Sequence, residues 1–140
     1  MKRAAVRTFV LAATLFAAAP VFAEDACPIG DEDASKAGGY VAAVQKAVAA
    51  APDCPASFHL FETCQLGSTQ DIALSNIVRD KCEPLFLPNI KPATKKAYAE
   101  ALKHCDEVAE NQSGSMYQSF AAMCEAKASR DFAAKAKAHK

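Results

Sequence analysis

The chain has 140 residues, 51% apolar and 23% charged, with six Cys, no Trp, and 16 basic residues against 16 acidic ones. This composition excludes an intrinsically disordered chain, which combines low hydrophobicity with high net charge. The length allows one compact unit and not two. Three of the basic residues, Lys2, Arg3 and Arg7, lie in an N-terminal leader, so the remainder is slightly acidic and carries no nucleic-acid footprint.

Residues 1–23 have the parts of a secretory signal peptide. A basic start is followed by the apolar run Phe9-Val10-Leu11-Ala12-Ala13-Thr14-Leu15-Phe16 and by Val21-Phe22-Ala23, with small residues at the cleavage-determining positions. The apolar stretch is shorter than the roughly 20 residues that span a bilayer, and Arg7 and Thr14 interrupt it. Cys27 follows Glu24-Asp25-Ala26 and not a lipid-attachment box, so no stable membrane anchor is expected after cleavage. The reading is of a single helical, disulfide-bonded domain over residues 24–140, periplasmic or secreted, with an acidic N-terminal arm and a basic C-terminal tail.

Export decides what the cysteines do. Their number is even, all lie beyond the leader, and an oxidising compartment makes three disulfides the expectation. Zinc would need closely paired ligands such as C-x-x-C, and none is present.

In chain order, Glu24 to Asp33 reads as an acidic, irregular arm tethered by Cys27. Tyr40, Val41, Val44, Ala47, Val48 and Ala51 then recur at helix spacing until Pro52 ends the run, with Gly38-Gly39 at its start. A short second helix runs from about Pro55 through Phe58, Phe61 and Cys64 to Gly67. Ser68-Thr69-Gln70-Asp71 has the S-x-x-D form of a helix start, followed by Leu74, Ile77, Val78, Cys82 and Leu85 on one face. Pro84 and Pro88 break this third helix. After Pro92 a fourth carries Ala97, Tyr98, Ala101, Leu102, Cys105 and Val108/Ala109. Asn111 to Ser115 is loop chemistry, and a fifth helix holds Tyr117, Phe120, Ala121, Cys124, Ala128 and Phe132 before fading into Ala-Lys repeats. No stretch alternates as a strand does. The predicted fold is all-α: a small bundle of four to five antiparallel helices joined by short loops and stapled by three disulfides.

Axial arithmetic narrows the pairing. Around a turn near Gly67-Ser68, Cys54 lies about 13 residues back and Cys82 about 14 forward, which brings them to nearly equal depth in a helical hairpin. Cys64 with Cys82 would be offset by roughly 15 Å, too far for a disulfide. Around Ser113, Cys105 and Cys124 differ by about three residues, an offset that tilt absorbs. The predicted bridges are therefore Cys54–Cys82, Cys105–Cys124 and, by remainder, Cys27–Cys64.

His104-Cys105-Asp106 superficially offers a nucleophile with its base. Adjacent helical residues point about 100° apart, however, which turns Cys105 inward and its neighbours outward, and a bridged cysteine has no thiolate. No two His residues sit at ligand spacing; a thioether-imidazole copper site of His59 with Met116 and Met123 is the alternative to reading these Met as core filling, and the C-x-x-C-H, G-x-S-x-G and phosphate-loop motifs are absent. No catalytic residue, metal site or cofactor is expected, and the chain reads as a binding protein and not as an enzyme. Lys127, Arg130, Lys135, Lys137 and Lys140 load the last helix, whose apolar face past Phe132 is only alanine; the expectation there is a solvated tail.

One set of residues carries a resemblance. Lys96-Ala97-Tyr98 leads through a helix to Cys105-Asp106, a Gly114-Ser115-Met116-Tyr117 loop follows, and Cys124 precedes Ser129-Arg130-Asp131-Phe132. Over a third to a half of the chain this resembles the LprI-like lysozyme-inhibitor family of small exported helical proteins. The resemblance implies a protein partner such as lysozyme, approached electrostatically, with a protruding loop occluding the enzyme cleft. Ser113, Gly114, Ser115, Met116 and Tyr117 combine a turn, hydroxyls and an aromatic anchor for that role. A periplasmic acid-stress chaperone is the alternative, exposing Phe58, Phe61, Phe86 and Phe120 when carboxylates protonate. A helical module for a small apolar ligand is a third reading.

Overall fold

The computed structural model describes residues 26–138, so the signal peptide expected at 1–23 and the first residues of the acidic arm lie outside the described residues. Six α-helices follow one another: α1 (Asp31–Ala37), α2 (Tyr40–Ala50), α3 (Cys54–Thr63), α4 (Asp71–Cys82), α5 (Pro92–Glu110) and α6 (Ser115–Ala138), with two 3-10 turns, Glu83–Leu85 and Leu87–Asn89, between α4 and α5. Among the described residues there is no strand, and the all-α expectation holds.

Six helices replace the expected four to five because the arm is not irregular throughout. The carboxylate of Asp33 accepts from the Gly30 amide, Asp31, Glu32 and Asp33 sit on the positive end of the helix dipole, and Lys36 pairs with Glu32 at 2.6 Å. Gly38, at φ +83°, closes α1 and Gly39 opens α2. Asp53 caps α3 by accepting from the Ala56 amide at 2.9 Å, and Pro55 occupies the first turn, where its missing N–H costs nothing. Leu85 does not extend the α4 stripe: Pro84 tightens the chain into a 3-10 turn, which leaves Leu85 54% exposed.

The core is built from Val44 and Val48 of α2, Phe58 and Phe61 of α3, and Leu74 and Val78 of α4, all buried. On α6 the large residues Met123 and Phe132 pack against it only partly buried. The fully or nearly buried positions there include Ser119, Ala122, Ala126, Ser129 and Ala133, alternating three and four residues apart. Small side chains at that spacing let α6 lie close against its neighbours, since interaxial distance follows the size of the contact residues. Phe120, placed on the apolar stripe by its spacing, is instead 46% exposed. The helix also does not fade: it continues to Ala138, with Ala133 buried and Ala136 packed on the core. Phe86, Tyr98 and Phe132 form a ring cluster with centroids 5.0–5.9 Å apart between the 3-10 turns, α5 and α6.

All three expected disulfides are present: Cys27–Cys64, Cys54–Cys82 and Cys105–Cys124, with Cα separations of 4.8, 4.9 and 5.4 Å. They are the chemistry of an oxidising, extracytoplasmic compartment. Among the described residues no helix is long and apolar enough to cross a membrane.

Candidate functional site

The disulfides and a few polar contacts define two ends of the bundle. At one end Cys27–Cys64 ties the arm to the close of α3, and Gln65 donates from Nε2 to Ser119 Oγ near the start of α6. At the other, Cys54–Cys82 joins the start of α3 to the close of α4, and Lys81 donates to the carbonyls of Ala49 and Ala51 at the end of α2.

Asp71 holds the first end together. Its fully buried carboxylate accepts from the amides of Leu66, Gly67 and Ser68 at 2.9, 2.8 and 3.4 Å and from Ser119 Oγ at 2.6 Å. The S-x-x-D sequence was therefore a genuine helix-start signal with the roles partly exchanged: Ser68 Oγ accepts only from the Gln70 amide at 3.3 Å, while the acid turns back to satisfy the α3–α4 loop and grips α6. Positive φ of +65° at Gly67 lets that loop close.

On this base stands the turn between α5 and α6. Ser113 and Gly114 form the loop, Gly114 with φ +120°, whereas Ser115, Met116 and Tyr117 lie in the first turn of α6. Met116 is 50% exposed. Tyr117 is half-buried and meets the exposed Phe120 edge to face, centroids 6.2 Å apart. The five expected loop residues are thus brought together, and the structure adds Phe120 to them.

Carboxylates predominate around this apolar group, several of them paired: Glu125 with Arg79 at 2.9 Å, Glu107 with Lys103 at 3.9 Å and, on α1, Glu32 with Lys36 at 2.6 Å. From Cys105 to Ala126 the chain carries Asp106, Glu107, Glu110 and Glu125 and no Lys or Arg, and the Cys27–Cys64 bridge ties the segment bearing Asp31, Glu32 and Asp33 to the same end. That run is legible in the sequence, although its acids are spread singly along two helices. His104 and Asp106 point outward beside the buried Cys105, as helical geometry predicts.

A second polar group lies between α4, α5 and α6. Arg79 donates from Nε to Glu83 at 2.8 Å and from Nη1 to Glu125 at 2.9 Å, and Tyr98 Oη donates to Glu83 at 2.7 Å. Burial, reinforced by this hydrogen bond to Glu83, raises the Tyr98 phenol. Burial also raises Glu125, with Asp106 adding to the shift and Arg79 opposing it. Burial works against the charge of Arg79, but its hydrogen bond and charge contact with Glu83 prevail and its pKa is raised. Such a cluster locks three helices together and has no nucleophile. Among the described residues no three His, Cys, Asp or Glu side chains gather as a metal-holding group.

No family model, curated protein or solved structure matches the chain.

Proposed function

We propose that this chain is an exported binding protein that docks its acidic end on a basic protein, with Met116, Tyr117 and Phe120 as apolar anchors. The observation that carries the reading is the coincidence of half-exposed Met116 and Phe120 with a segment, Cys105 to Ala126, that carries four carboxylates and no Lys or Arg. Apolar and aromatic anchors supply binding energy at the centre of an interface, and a rim of one sign steers a partner of the other. A lysozyme is the partner that the LprI-like resemblance implies, since a basic enzyme with a cleft fits both the charge and the protruding turn. The three disulfides support the exported part of the reading, and cleavage after Ala23 completes it.

The test is inhibition of a hen-type lysozyme by the oxidised protein at neutral pH. Inhibition should weaken as salt rises, because exposed charges separated by more than about 10 Å are screened near 0.1 M. Phe120→Ala and Met116→Ala should each weaken it by about tenfold or more, the usual penalty for truncating an anchor. Absence of inhibition at low salt would refute lysozyme as the target. The chaperone reading has less behind it: Phe58, Phe61 and Phe86 are buried in a core braced by disulfides, and Phe120 is exposed without any acid trigger.

A further inference from the structure

The end of the bundle opposite the acidic one has its own composition. Tyr98 stacks beside Phe132 at 5.1 Å and Cys105 is bonded to Cys124, which sets α5 and α6 in an antiparallel register that lays Lys91, Lys95 and Lys96 alongside the final turns with Lys135 and Lys137. Residues 84–99 and 132–138 contain these five lysines and no carboxylate. All five are exposed. Carboxylates border this end as well: Asp53 caps α3, exposed Asp80 lies on the last turn of α4, Glu83 holds Arg79 and Tyr98, Glu100 lies 3.8 Å from Lys96, and Asp131 is held by Lys127 and Arg130.

Between these lysines projects an apolar knuckle. Pro84, Leu85 and Pro88 are exposed on the 3-10 turns, and Leu85 also borders a groove of about 300 Å³ lined by Pro55, Ala133 and Ala134 together with Asp53, Arg130 and Lys137. An exposed leucine between prolines costs solvation and contributes nothing to this core. Cations around a short apolar projection match an anionic lipid surface, whose headgroups attract lysine while the projection enters the acyl boundary.

We infer that this basic end seats the folded protein reversibly on an anionic bilayer surface, Leu85 entering the interface, so that the acidic end faces away from the membrane. The sequence alone suggested a solvated tail, because α6 by itself has only alanine on its apolar side past Phe132; the leucine and three of the lysines come from elsewhere in the chain.

The experiment is co-sedimentation of the full oxidised protein with vesicles of phosphatidylcholine, with and without phosphatidylglycerol, at low and physiological salt. Binding is expected only to the anionic vesicles and should fall with salt. Each lysine near such a surface is worth about a fivefold change in partition, so K95E/K96E/K135E should lower binding by about a hundredfold or more. K36E/K46E/K103E, with the same change of net charge elsewhere, should retain most of it. Leu85→Ser should weaken vesicle binding while leaving retention on heparin unchanged. Equal loss in the two triple variants, binding to neutral vesicles as strong as to anionic ones, no binding at low salt, or indifference to Leu85→Ser would each overturn the inference, the last in favour of a soluble polyanion. Circular dichroism and thiol titration of every variant confirm that the fold and bridges are intact before binding is compared.

Discussion

Asp71 shows how one side chain can organise a helical protein. A carboxylate with no solvent exposure is costly unless its lone pairs are filled, and here three loop amides and a serine hydroxyl fill them. Replacing it with Ala strands those donors, so Asp71→Ala should lose at least about 3 kcal/mol in urea unfolding, with Ser119→Ala losing about 1 kcal/mol. Glu125 behaves differently. Burial raises its pKa in the folded state above the usual 4.5, with Asp106 adding and Arg79 opposing. The folded chain therefore takes up this proton before the unfolded chain does, and the group's contribution to stability grows as pH falls from neutrality towards 4.5 and is lost as pH rises through the folded value. Denaturation of the native protein and Glu125→Gln at pH 7, 6 and 5 should show the difference moving in favour of the native protein on acidification; a constant difference would contradict this assignment. Asp131 has the opposite sign: burial raises it, but Lys127 and Arg130 together bring it below 3.8, so its contribution is present above that pH and lost below it.

For the helices, amphipathic spacing located α2 to α6 to within a few residues, and on α6 it placed Ala121, Ala128 and Phe132 on the packed side but wrongly added Phe120 to them. Spacing arguments give weight to the largest apolar side chains, whereas close helix contacts select the smallest. Ser119, Ala122, Ala126, Ser129 and Ala133 therefore face inward and Phe120 does not. Ala126 has no exposure, and the added volume of Ala126→Leu has nowhere to go; it should cost about 1–3 kcal/mol or more. Phe120→Ser, at a position that spacing assigned to the core, should cost under about 1 kcal/mol. Thermal unfolding of the two variants reads the contrast directly. If Phe120→Ser proved the more damaging, the packing of α6 described here would be wrong. The arm is the second misjudged element: seven residues from Asp31 to Ala37 carry no apolar stripe, and α1 forms through an acidic first turn, the Asp33 contact to Gly30 and the Gly38 cap, none of which produces a hydrophobic period.

Taken as a whole, the molecule is braced covalently along its length. The Cys27–Cys64 bridge fixes the arm, Cys54–Cys82 closes the α3–α4 hairpin, and Cys105–Cys124 closes the α5–α6 hairpin. A bridge of this loop length stabilises by about 2–4 kcal/mol through the unfolded chain, a large share of the 5–15 kcal/mol or so that holds a domain of this size. The double variant Cys54→Ala/Cys82→Ala should lose that amount and melt well below the native protein, and reductant should lower the melting temperature further. A melting temperature indifferent to reductant would show that the bridges add nothing to a sufficient core. An excess of carboxylates from Cys105 to Ala126, and five lysines gathered at the start of α5 and the end of α6, give both proposed surfaces a salt-dependent signature.

Helix positions, the absence of strands among the described residues and the disulfide pairing could be derived from residue order alone, because each depends on local rules: a period of 3.6, proline and glycine at the breaks, and 1.5 Å of rise per residue. The loop ending at Ser113 and Gly114 was likewise local, while Ser115 to Tyr117 belong to α6. What no local rule contains is which side chains become neighbours across helices. The inward turn of Asp71 onto Ser119, the exposure of Phe120 and Leu85, and the gathering of lysines from α5 and α6 at one end were decided only when the helices packed together, since that packing adds together charges and apolar groups far apart in the chain.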